Sequence, residues 1–195
     1  MKLPYVVAEI LAGIAESEAV SIDVPMAIAV ADAEGGLQFF KRMDGTLPVS
    51  TELAVSKAFT AAVLRMPTHE VGELAQPGGA LYGIQHTHQG RIILFGGGYP
   101  LCLDSEVVGG IGISGGTVEQ DMRVAEPAVN LLRDVQCWAE EIREALPAKV
   151  AGTTALSLVR ERLAHALADV NSNVSGKTVA ALTGGVLLAM SQGSG

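Results

Sequence analysis

Four histidines, two cysteines and one glycine-rich stretch are the material from which this chain can build chemistry. His86 and His88 stand two apart in "QHTH". In extended backbone that spacing aims both imidazoles to one side, and His69 is available as a third donor for a divalent metal. No carboxylate or cysteine completes a ligand pattern, so polar loop histidines are the plain alternative. His165 falls within a helical pattern, where solvent or an interface is its ordinary surrounding. Cys102 and Cys137 lie in apolar contexts without metal-ligand spacing, as reduced thiols of a cytoplasmic protein do. Covalent catalysis needs a nucleophile beside a base, or two carboxylates in unlike environments. Neither is evident, and Ser114 lacks the G-x-S-x-G elbow. A binding protein, not an enzyme, is the expectation.

The stretch "GGIGISGGTVEQD", residues 109–121, spells G-x-G-x-x-G through Gly110, Gly112 and Gly115. A dinucleotide fingerprint would continue into a second strand ending in an acidic residue about twenty positions on. Val118 to Leu146 is helical in pattern, and Asp134 falls on that helix. The stretch is therefore expected to be a strand turning into a helix. Gly115 and Gly116 would supply the permissive φ/ψ of the turn, and Thr117 with Gln120 forms a capping box. Free N–H groups at Thr117 to Glu119 remain for an anionic group, beside Ser114. The "SGKT" near the C-terminus lacks the glycine of a phosphate loop, since Asn171 stands in its place. In "RMDG", Arg42 can pair with a carboxylate or propionate, and Asp44-Gly45 suits a turn. Lys57 is the next cation along the chain.

The elements that must position these residues follow from periodicity. Residues 4–20 carry Val6, Val7, Ile10, Leu11 and Ile14 at helical spacing after Pro4. "MAIAVAD" and "LQFFKRM" flank Glu34-Gly35-Gly36 as a hairpin. Ser50 is placed to cap a helix running to Met66, and "PTHEVGELA" forms a shorter one. "RIILF", "YPLCLD" and "EVVGGIGIS" give three more strands, five in all, and Pro127 is expected to kink or split the long helix after them. The order gives a mixed α/β (α+β) domain over 1–146 and a helical extension over 147–195.

With 49% hydrophobic residues the chain holds ample material for a core. A net charge of -8 without a basic run excludes an electrostatic grip on nucleic acid or acidic membranes. The N-terminus lacks the pattern of a signal peptide, and the apolar run Val179 to Met190 is too short to span a bilayer.

"VPMAIAVADAEGG", "FKRMDG", "SKAFTAAVLRMPTHEV", "LYGIQHTHQGRIILFGGGYPL" and "EVVGGIGISGGTVEQD" occur in an order that resembles the GlcG/HbpS family. The likeness covers about residues 5 to 145 and is nearest the C-terminal domain of PduO-type proteins from propanediol-utilisation microcompartments. It implies a five-stranded antiparallel sheet packed with helices, and a homo-oligomer, tetramer or octamer. It also implies haem, and behind it a corrinoid, as cofactor, in support of corrinoid-dependent diol use. The PduO adenosyltransferase domain has no counterpart in the likeness, so adenosyl transfer is not expected. Members that ligate haem through histidine carry it in the first helix, whereas "GIAESEAV" offers Glu16, Ser17 and Glu18. A carboxylate can bind iron, and solvated acidic residues are the alternative. Arg42, Asp44, Lys57 and Ser114 to Thr117 are the residues the resemblance favours at the edge of a pocket. The extension could dock a terminal amphipathic helix on microcompartment shell proteins.

Overall fold

The computed structural model describes residues 3–103 and 105–145, together with 161 and 165. The chain divides at Val129/Asn130 into two units. In the first, helix α1 (Tyr5–Ser21) precedes the hairpin strands β1 (Ala27–Asp32) and β2 (Leu37–Arg42). Helices α2 (Pro48–Leu64) and α3 (Thr68–Leu74) follow, then strands β3 (Gly98–Leu103) and β4 (Glu106–Ser114), which leads into α4 (Val118–Ala145). The order across the sheet is β2-β1-β4-β3, with every pairing antiparallel. Among the described residues no helix is long and apolar enough to cross a membrane.

The two sheet faces differ because alternate residues differ. On one face Ala27, Ala29 and Ala31 of β1 pair with Ser114, Gly112 and Gly110 of β4. Helix α2 settles there through Ala54, Ala58 and Ala62. The approach is so close that a Cβ on Gly112 would stand 2.1 Å from the Ala54 carbonyl oxygen, and one on Gly110 2.3 Å from that of Ala58. Two glycines of the apparent fingerprint thus serve helix–sheet packing. The opposite face carries Ile28, Val30, Ile111 and Ile113, all without exposure. Each contributes about 1.5–3 kcal/mol by burial. Helix α1 lies on this side, where Tyr5 packs its ring against Phe39 at 6.1 Å.

Among the described residues four strands form where the sequence suggests five. "RIILF" does not enter the ladder: the Ile93 N–H donates to the Thr60 hydroxyl at 3.0 Å, and Ile92 is buried with Phe59 and Val71. A side chain supplies the partner that a neighbouring strand would have given. Ser50 is not the cap of α2, which starts at Pro48 with Leu47 as N-cap; the Ser50 N–H bonds to the Leu47 carbonyl. Pro is favoured in the first turn because its missing N–H has no helical partner there. Pro127 does not split α4, which continues through it. Apart from 161 and 165, the 147–195 extension lies outside the described residues.

Candidate functional site

The antiparallel register gathers several of the expected residues at one end of the sheet. Arg42 pairs with Ala27 across β2 and β1, and Ala27 pairs with Ser114 across β1 and β4. Arg42 donates from Nη2 to the Thr46 carbonyl at 2.8 Å, which closes the turn holding exposed Asp44. Ser114 is buried. The next three residues make the turn into α4, and neither Gly115 nor Gly116 has a positive φ. Left-handed backbone is therefore not the reason for glycine here. A Cβ on Gly115 would meet the Pro25 carbonyl oxygen at 2.4 Å, so space decides.

The donors of that turn are already engaged. The Gly115 and Gly116 N–H groups both bond to Asp121 Oδ1 at 3.1 Å. The Thr117 N–H bonds to Gln120 Oε1 at 2.9 Å and the Gln120 N–H returns to the Thr117 hydroxyl at 3.3 Å, the expected capping box. Asp121 is thus the turn's own anion, and Thr117's N–H is not free for another.

Asp121 reaches further. Its Oδ2 accepts from Lys57 Nζ at 2.6 Å, and Nζ also donates to the Ile113 carbonyl at 2.8 Å. Lys57 is completely buried, with its ammonium 4.9 Å from the centre of the Phe95 ring. Burial pushes the Lys57 ammonium down, and the charge and hydrogen bond of Asp121 act against it. Burial likewise pushes the Asp121 carboxyl up, offset by Lys57 and by the two glycine N–H groups. Sequence reasoning places Lys57 among accessible cations because lysine is rarely buried. It overlooks Asp121, whose one signal is an acidic residue in the first turns after a Gly-Gly turn.

Glu16 and Glu18 of α1 are also paired. Glu16 Oε2 accepts from Lys41 of β2, which points to the α1 side of the sheet. Glu18 Oε1 accepts from Arg123 Nε at 2.8 Å. Each of these two α1 carboxylates is therefore tied to a cation from another element, Lys41 of β2 or Arg123 of α4. Lys41 and Arg123 are missed from the sequence because nothing local marks a cross-element pair.

His86 and His88 fall in two consecutive 3-10 turns, Ile84–His86 and His88–Gly90. The extended geometry that would align their imidazoles is absent. Both are exposed; His86 lies beside Gln85 Nε2 and His88 Nδ1 beside the Thr87 hydroxyl. His69 instead packs against Tyr99, ring centres 5.8 Å apart. Among the described residues no group of three or more His, Cys, Asp or Glu is arranged to hold a metal ion. His165 is exposed.

A family model described as "Haem degrading protein HbpS-like" matches residues 3–130. The chain is 43% identical to a 15.0 kDa protein of the dhaT-dhaS intergenic region of Citrobacter freundii, over 62% of this chain and 84% of that one. It is 45% identical to the corrinoid adenosyltransferase PduO of Salmonella typhimurium over 59% of this chain, but spans only 34% of that protein's length. Among solved structures, the PduOC:haem complex superposes with a TM-score of 0.64 at 42% identity, covering 67% of this chain and 94% of that one.

Proposed function

The chain belongs to the HbpS-like family, and from that membership we propose that it is a homo-oligomeric haem-binding protein of the PduO C-terminal type. The observation that carries the reading is the likeness, at 42% identity, to the protein crystallised as the PduOC:haem complex. On the same likeness the protein serves corrinoid-dependent diol utilisation in the cytoplasm, inside a microcompartment.

The donor set suits haem in one particular way. On the α1 side Lys41 and Arg123 would be the cations for the propionates, and Arg123 could bind a carboxylate through two N–H groups, whereas Arg42, opposite Ala27, lies on the α2 face of the sheet and is tied to the Thr46 carbonyl. In place of a first-helix imidazole, Glu16 offers an oxygen ligand, which suits ferric iron. Bound haem supplies a redox-active iron whose potential follows its axial ligand. To hold the iron Glu16 would have to give up Lys41, which could then take a propionate. Ser114 and the turn to Thr117, fixed by Asp121, form the rim.

Titrating hemin into the purified full-length protein tests the reading. A saturable Soret shift at one haem per chain, lost in Glu16→Ala and kept in His86→Ala, is expected. A featureless titration sinks it. A Soret band that forms and then bleaches under reductant and oxygen would turn the reading to haem degradation.

A second reading, a structural or cargo protein of a microcompartment without haem, is favoured by the ion pairs that occupy Glu16 and Glu18. It predicts that deleting residues 147–195 ends co-purification with shell proteins; a truncated protein that still co-purifies with shells removes it.

A further inference from the structure

A cleft of about 600 Å³ lies between the first half of α2 and the loop 88–91. Its lining includes Thr51, Glu52, Val55, Ser56, His88 and Arg91. The volume is that of a small-molecule site, typically about 300–1,000 Å³. Arg91 is held there by the core. Its guanidinium carbon lies 3.9 Å from the centre of the Phe59 ring, and its carbonyl accepts from the Thr60 hydroxyl at 3.3 Å. His88 approaches the same ring, centres 5.8 Å apart.

Glu52 enters the cleft from the helix and Arg91 from the loop, yet they do not pair with each other. Among the described residues neither has an ion-pair partner. Two opposite charges on one concave surface, unpaired with each other, are complementary to a doubly charged ligand. The Thr51 and Ser56 hydroxyls add neutral hydrogen-bonding groups, and Val55 a short apolar wall. The loop that presents Arg91 is itself strained: His88 and Gln89 have φ of 48° and 59°, followed by Gly90 at 81°.

We propose that this cleft binds a small zwitterion of the free amino-acid class, its carboxylate on Arg91 and its ammonium on Glu52. The site is separate from the haem reading and does not depend on it.

The test is an amide-shift titration of isotope-labelled full-length protein with a panel of free amino acids. Saturable shifts are expected in residues 48–56 and 88–91, with affinity falling about tenfold in Glu52→Gln and in Arg91→Gln. The des-amino acid and the decarboxylated amine of the best ligand should each bind about tenfold more weakly. Glu52 is exposed, so its variant remains informative even where Arg91→Gln disturbs the Phe59 contact. A des-amino acid or phosphate ester binding as well as the amino acid would reduce the cleft to an anion site and overturn the assignment. So would the absence of any shift at tens of millimolar ligand.

Discussion

Lys57 of α2 and Asp121 of α4 form an ion pair at 2.6 Å with Lys57 wholly out of water. The pair joins three elements, because Lys57 also holds the last turn of β4 at Ile113 while Asp121 holds Gly115 and Gly116. A charge is thus spent inside the domain to fix the strand-to-helix turn that a nucleotide fingerprint would have used for phosphate.

Breaking the pair on one side should be costly, because the remaining charge stays buried. Lys57→Met or Asp121→Leu is expected to destabilise by about 3–5 kcal/mol each, and the double variant by much less than their sum. Urea unfolding of the three proteins measures this; additive losses would show that the two residues act independently.

The glycines separate by the space around them. Gly112→Ala puts a Cβ 2.1 Å from backbone oxygen and should cost about 1–3 kcal/mol or more, since α2 must lift off the sheet. Gly13→Ala in α1 meets nothing within 4 Å and should stabilise by about 0.5–1 kcal/mol through helix propensity. Thermal unfolding distinguishes them; equal shifts would contradict the packing account.

The helices, the β1–β2 hairpin and the Thr117–Gln120 capping box were legible because each is encoded by local spacing. "RIILF" misleads because a β-prone run becomes a strand only where a neighbour pairs with it, and here the Thr60 hydroxyl takes Ile93 instead. Arg42 and Ser114, which the family likeness favours, do meet at one end of the sheet. Which charges were free there was not legible, since the partners of Lys57, Glu16 and Glu18 lie 64, 25 and 105 residues away. A spacing rule such as that for His86 and His88 also fails when the backbone turns between them.

Tyr99 makes a pH prediction. Burial pushes its phenol above the ordinary value of 10.0, and the Glu126 and Glu70 carboxylates push it further. The folded state therefore keeps a proton that the unfolded chain gives up. This contribution is complete below pH 10 and is lost as pH rises through the folded pKa. Wild type should lose stability relative to Tyr99→Phe on crossing pH 10, and parallel stability curves would show that the phenol does not sense the fold.

Glu16 offers the sharpest test of the haem reading, because its pairing with Lys41 competes with any iron. A carboxylate ligand would leave ferric haem weakly ligated and high-spin, whereas Glu16→His offers an imidazole from the same helix position. The variant also releases Lys41 for a propionate. Glu16→His is therefore expected to bind hemin at least about tenfold more tightly than wild type and to move the Soret band towards that of an imidazole-ligated haem. Glu16→Gln, which keeps the shape but loses the charge, should weaken binding. Should hemin bind all three proteins alike with one unchanged spectrum, Glu16 is not the ligand, and the iron must be sought away from α1.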